Sequence, residues 1–265
     1  MKTHPFPLSR LRLKLISGVA AAAFSLGAHA APAASWWIDV VNDRGSNVRE
    51  QLARGTDPNA LDAEQLPTLM LAIRSGAWQV YDALLAHPDI QVEIQNQHGE
   101  TPLMYLALLG ETERAAALIE RGAQVNKLGW TPLHYAASRG QADTARMLIK
   151  KGAIVNAPAP DGTTALMMAA YAGSREVAQL LLDNGADATA VNLNKNTAAD
   201  WARERNHTRL ASELDEVAQR TQARREGRPE PQPVKTPEAP APAASTTEPS
   251  GTSRYFDLDR FERED

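Results

Sequence analysis

The chain has 265 residues, 43% of them hydrophobic and only 5% aromatic, with a formal charge of −4 and no cysteine. That length allows one or two ordinary domains whose cores are mainly Ala and Leu, a balance that favours close-packed helices because Ala has the best intrinsic helix propensity. The missing Cys excludes disulfides, thiolate metal sites, cysteine nucleophiles and a lipidated N-terminal cysteine.

Residues 1–30 open with Lys2, Arg10, Arg12 and Lys14, continue through an uncharged run from Leu15 to Ala28, and reach "AHA" before "AP". The pattern predicts a secretory signal peptide cut after Ala30; a spanning anchor would need about 20 apolar residues. Losing the four uncompensated basic residues would take the formal charge from −4 to −8. An acidic mature chain argues against nucleic acid as a partner, since such binding is driven by phosphate neutralisation. No membrane span is expected after cleavage. A periplasmic or secreted destination and a monomer are.

A repeat fills the middle. "PTLMLAIRSG" from Pro67, "TPLMYLALLG" from Thr101, "TPLHYAASRG" from Thr131, "TALMMAAYAG" from Thr164 and "TAADWARERN" from Thr197 align without gaps, at spacings of 34, 30, 33 and 33. Stepping back 33 residues from Pro67 finds a degenerate copy at Ala34, "ASWWIDVVND". Each copy but the last leads into a second apolar pattern, such as "ARMLIKKGA" or "VAQLLLDNGA", so six units of two helices run from about residue 34 to 219. In the copy at Thr131 the hydroxyl can cap the first helix, Pro132 takes the first helical position, and Leu133, Ala136 and Ala137 form an apolar stripe. Gly140 and Gly152 end the two helices. Two short helices cannot bury their faces alone, so neighbouring units must stack.

From residue 222 the composition changes: "EGRPEPQPVKTPEAPAPAASTTEPSGTS" holds seven Pro up to residue 253 and almost no large apolar residue. It cannot bury enough surface to offset chain entropy and is expected to be a disordered, acidic tail. "RYFDLDRFERED" follows, where Tyr255, Phe256, Leu258 and Phe261 could form one face of a short helix against a partner. The expected division is therefore a signal peptide at 1–30, a repeat domain at 31–221 and a tail at 222–265.

The repeats resemble ankyrin repeats, on Thr131-Pro132-Leu133-His134, Ala136, Gly140, Leu148, Gly152-Ala153 and Asn156. The resemblance implies an all-α ankyrin-repeat solenoid of about six repeats including degenerate caps, gently curved, with β-hairpin-like fingers along one edge. The terminal copies depart from the pattern: neither has Gly after its first helix, and the last carries polar Glu213, Asp215 and Glu216, as caps should. The family uses the position of His134 structurally, around the Thr cap and between units. Its counterparts here include Met70, Met104 and Met167, which fits packing.

Catalytic patterns are missing from the sequence. His87, His98 and His207 show no metal-ligand spacing, and there is no G-x-S-x-G, P-loop or G-x-G-x-x-G. Asp57, Asp161 and Asp187 fall at repeat turns, where Asp stabilises local backbone. The expectation is a non-enzyme without cofactor or metal.

The resemblance places variable contact residues on the fingers and at the exposed ends of the first helices. Carried over, these are Lys127, Leu128 and Trp130 on one finger, with Glu100 and Thr163 at the position of Trp130 in its neighbours, and Arg74, Leu108, Leu109, Ser138, Arg139, Tyr171 and Ala172 at helix ends. Leu108, Trp130 and Tyr171 are expected to form an apolar patch on the concave side, rimmed by Arg139 and Lys127. Gly122 to Thr131 is nine residues where Gly152 to Thr164 is 12, so this finger is three residues short. Trp130 could either anchor a partner or fold back over the gap. The function expected is protein binding in the bacterial periplasm; the resemblance also admits support of catalase and peroxide tolerance, or a secreted effector that binds a host protein.

Overall fold

The computed structural model describes residues 30–229. The expectations for the signal peptide and for the Pro-rich and aromatic stretches of the tail lie outside the described residues, apart from Ala30 and the first few tail positions.

Twelve helices, in six antiparallel pairs, make up the described part. They are α1 (Ala34–Val41) with α2 (Gly45–Ala53), α3 (Thr68–Arg74) with α4 (Trp78–Leu85), and α5 (Pro102–Leu109) with α6 (Thr112–Glu120). After them come α7 (Pro132–Ser138) with α8 (Ala142–Lys150), α9 (Ala165–Tyr171) with α10 (Arg175–Asp183), and α11 (Ala198–Glu204) with α12 (Thr208–Arg225). The odd-numbered inner helices stack on one another, and the even-numbered ones form a second row. The all-α repeat solenoid expected from the sequence is the fold found.

Local chemistry explains where each helix begins and ends. At α11 the Thr197 hydroxyl accepts from the Asp200 backbone N–H at 3.2 Å while the Asp200 carboxylate accepts from the Thr197 N–H at 2.9 Å, which satisfies two donors that a helix start leaves orphaned. Inner helices end in a left-handed residue: Gly76, Gly110, Gly140 and Gly173 in the middle repeats, Asp43 (φ 52°) and Asn206 (φ 63°) in the terminal ones. Asp and Asn are the side-chain-bearing residues that tolerate this region best. Asp43 does more than tolerate it, since its carboxylate accepts from the Val80 N–H at 3.0 Å and so caps the helix of the next repeat.

Stacking completes the core. Leu133, Leu148 and Leu181 are essentially inaccessible, and each such burial contributes about 1.5–3 kcal/mol. Small Ala136, Ala137, Ala169 and Ala170, all fully buried, let the inner helices approach closely. Asn59, Asn126 and Asn156 tie the loops together. Each donates its amide to a carbonyl of the next repeat (Asp89, Gly152 and Gly185) and accepts a backbone N–H from it (Gln91, Ile154 and Asp187), at 2.8–2.9 Å.

The fingers differ from expectation. Among the described residues there are no strands, only isolated bridges such as Leu61 with Pro67. Three fingers instead close on a side chain: Asp62, Asn96 and Asn192 each accept two backbone N–H groups within their own turn. Helix α12 also runs past the expected domain boundary at 221 to Arg225, because Ala223 is buried and Arg225 binds Asp187 at 2.9 Å and the Thr189 hydroxyl at 2.7 Å.

Candidate functional site

The inner helices and fingers share one side of the stack, and their equivalent positions form ladders across it. Leu71, Tyr105, Tyr135, Met168 and Trp201 are the floor, and all are buried. At the next level, one position for each repeat from the second to the sixth, Leu109, Arg139 and Arg205 are exposed and Ser75 and Ala172 half-buried. Fingers lie side by side along the edge. Gly129 packs near Pro160, Gly162 near Asn192, and the Leu193 N–H donates to the Asp161 carbonyl at 2.8 Å.

Two expected contact residues are not on this surface. Leu108 is only 2% exposed and belongs to the hydrophobic core. Ser138 is 4% exposed, its hydroxyl donating to the Tyr135 carbonyl at 2.7 Å. Both occupy the last inward-facing turn of their helices, and the exposed position is one residue further on, at Leu109 and Arg139. The expected patch of Leu108, Trp130 and Tyr171 is therefore not formed as a surface.

The remaining candidates lie where a partner could touch them. Arg139 is exposed. Tyr171 is half-buried, edge-on to Trp201 with ring centroids 5.6 Å apart, and the Arg205 guanidinium lies 4.4 Å above its ring. That stack holds a cation over an aromatic face, as recognition surfaces often do. Arg74 is half-buried beside Glu64 at 3.5 Å. Lys127 donates to the Gly99 carbonyl of the preceding finger. Leu128, at the tip of the short finger, is 98% exposed, and Leu193, on the finger before α11, is 77% exposed.

The short finger is closed by packing. Asn126 takes the inter-repeat role of Asn156, so the three missing residues are those of the turn that Asn96 or Asn192 organises elsewhere. Trp130 is half-buried against the core and meets His134 edge-on, ring centroids 5.4 Å apart. On the preceding finger, Glu100 is 3% exposed and accepts from Asn96 at 2.7 Å and from the Tyr135 hydroxyl one repeat on. Sequence reasoning placed Glu100 among the variable finger positions and missed it as a buried carboxylate. Two tyrosines at the same motif position, Tyr105 and Tyr135, were the available signal, because a buried hydroxyl needs an acceptor.

His134 has the structural role that its motif position suggests. Its Nδ1 lies 3.2 Å from the Thr131 backbone N–H, which donates to it, and Nε2 donates to the Thr163 carbonyl of the next repeat at 3.1 Å. This pair of bonds requires the neutral ring. Burial pushes the imidazole pKa down from 6.5 to about 4, against smaller raising effects from the Thr163 carbonyl and Asp161. Asp57, Asp161 and Asp187 each accept a backbone N–H two residues on, at 2.9–3.0 Å, as expected for turn residues. Among the described residues no three His, Asp or Glu side chains converge as a metal site would require, and no helix is long and apolar enough to cross a membrane.

Comparison with known proteins agrees with this geometry. A family model described as "Ankyrin repeats (3 copies)" matches residues 38–128, 69–159, 122–192 and 154–217. The chain is similar to the ankyrin repeat and SAM domain-containing protein 6 of Rattus norvegicus, 27% identical over 174 residues, which is 65% of this chain and 16% of that protein. The corresponding Mus musculus protein is 31% identical over 143 residues, 54% of this chain and 13% of its own length. The chain thus spans under a fifth of the relatives it matches.

Proposed function

Since the chain belongs to the ankyrin-repeat family, whose repeats are protein-interaction modules, we propose that it is a non-enzymatic binding protein that engages a partner protein through its inner-helix and finger face. The observation that carries this reading is a ladder of exposed and half-buried helix-end positions beside a buried floor. Leu109, Arg139 and Arg205 stand on inner-helix ends, with Tyr171 beneath Arg205 and Leu128 and Leu193 on the fingers. Tyr and Arg are residues that interface hot spots favour, and the exposed Leu side chains add apolar contact area around them. All of these positions lie on the stacked scaffold itself, so little ordering is lost on binding.

The signal-like residues 1–30 support export, and the reading places the protein in the bacterial periplasm. Cell fractionation with N-terminal sequencing tests that part: a periplasmic chain starting at Ala31 is expected, and an uncleaved cytoplasmic one would overturn it. The binding face is tested by Leu128→Asp with Arg139→Glu in the full chain. Both sites are exposed, so folding is retained, and partner affinity is expected to fall about 100-fold, from two anchors each contributing on the order of 1–2 kcal/mol. Unchanged affinity would place the interface elsewhere.

A further inference from the structure

We infer that the finger and inner-helix face of repeats four to six is occupied, in the absence of a partner, by this chain's own residues 254–265. The inference rests on the reading of that face as a docking surface and names one occupant for it.

Three observations select this segment. The first is where the chain leaves the described fold. Arg225, at the last turn of α12, is bound to Asp187 and Thr189 at the root of the finger that carries Leu193. The described residues therefore run out at Pro229 beside the finger row.

The second is reach. Residues 230–253 are a connector of 24 residues. A chain of that length covers about 27 Å as a random coil and about 74 Å as polyproline II, enough to return across three repeats.

The third is complementarity. "RYFDLDRFERED" has three Arg against five acidic residues and places Tyr255, Phe256, Leu258 and Phe261 among them. The face offers exposed Leu193 and Leu128 for such side chains. Its exposed cations are Arg139, Lys195 and Arg205, the last held over the half-buried Tyr171 ring.

Tethering makes even a weak contact count. A short connector sets an effective concentration in the millimolar range, so self-docking competes with any external ligand of the same face. The segment would then act as a built-in competitor that a partner must displace.

The chain has no cysteine, so two engineered ones can be spin-labelled uniquely. Labels at Ser253→Cys and the exposed fingertip residue Asn194→Cys report the distance between segment and face in the full chain. The expected result is a short, narrow distance distribution that becomes long and broad on Phe256→Ala with Phe261→Ala, and also on Leu193→Asp. A fluorescent peptide of residues 254–265 should bind the Phe256→Ala/Phe261→Ala chain at least about tenfold more tightly than the unsubstituted chain, whose face is already filled.

Identical broad distributions in all three chains would overturn the inference. So would a short distance that vanishes when labelled chain is diluted with unlabelled chain, since that result assigns the segment to a second copy. The reading of the face fails separately. If partner affinity ignores Leu128→Asp with Arg139→Glu while the segment still docks, the face is not the partner site; if affinity falls but no docking is seen, only the self-occupancy is wrong.

Discussion

The finger before α11 and the finger before α7 solve the same problem in different ways. In the first, Asn192 folds the turn around its side-chain oxygen, which accepts from the Asn194 and Asn196 N–H groups, and Leu193 is left out in solvent. In the second the turn is missing. Trp130 lies against His134, and the neighbouring junction is held by Glu100 receiving the Tyr135 hydroxyl across the repeat boundary. The regular finger is thus closed by its own turn hydrogen bonds and the short one by the packing of Trp130 on His134, while Glu100, on the finger before α5, ties that finger to α7.

The comparison predicts its own largest effect at Glu100. Glu100→Ala removes the acceptor of the Tyr135 hydroxyl and of the shorter of the two Asn96 amide bonds, the other running to the Tyr105 hydroxyl at 3.2 Å, a loss of about 4 kcal/mol from two buried hydrogen bonds whose donors have already been desolvated. Urea unfolding followed by circular dichroism measures it. A loss below about 1 kcal/mol would show that the junction does not depend on this carboxylate.

Acid should act next, at His134, which lies under Trp130 and bonds the following repeat. His134 is neutral in the fold down to about pH 4, whereas the unfolded chain takes up the proton near 6.5. The unfolded state therefore binds more protons between these values, so stability is full above pH 6.5 and is lost as pH falls towards 4, by up to about 3 kcal/mol. Asp187 and Asp200 have carboxyls held below their usual 3.8: burial opposes this but is outweighed, chiefly by bonds from Thr189 and Arg225 and from Thr197 and Arg203. Their contribution is lost only at lower pH. Unfolding curves between pH 7 and 4 for the parent and for His134→Met, which copies the residue of other repeats, should converge if His134 is the cause; a parallel pH dependence in both would refute it.

Trp130→Ala should come third, at about 2 kcal/mol, below the 3–5 of a fully buried tryptophan because this ring is half-buried. The mid-point shift in urea reads it, and a change under about 0.5 kcal/mol would mean that the indole does not close the gap. The smallest effect belongs to the regular finger. Asn192→Ala removes one local turn acceptor and is expected to cost about 1 kcal/mol on the same assay; a cost matching that of Glu100→Ala would erase the distinction between bonds within one turn and bonds shared between repeats.

Much of this was legible in the sequence, and the reasons differ by residue. The helix pairs could be read because Thr-Pro caps, alanine stripes and terminating glycines recur at equivalent positions, and each has a local physical cause. His134 could be assigned for the same reason. Leu108 and Ser138 were misplaced by a single step along the helix, since which residue of a last turn faces outward depends on how the neighbouring repeat packs over it. Glu100 was missed because its burial is produced by Tyr135, 35 positions away, and by a finger too short to hold a turn. The Asp43 and Asn206 helix ends show the converse case, where a missing glycine hid a conserved backbone geometry rather than a change in it.

The central claim is that binding occurs on the finger and inner-helix face, and photo-crosslinking in intact cells tests it most directly. One probe replaces Leu128, 98% exposed on the short finger, and a second replaces Gln179, exposed on α10 in the second-helix row. The account predicts a discrete protein adduct from position 128 and none from position 179. An adduct from position 179 with none from position 128 would contradict it.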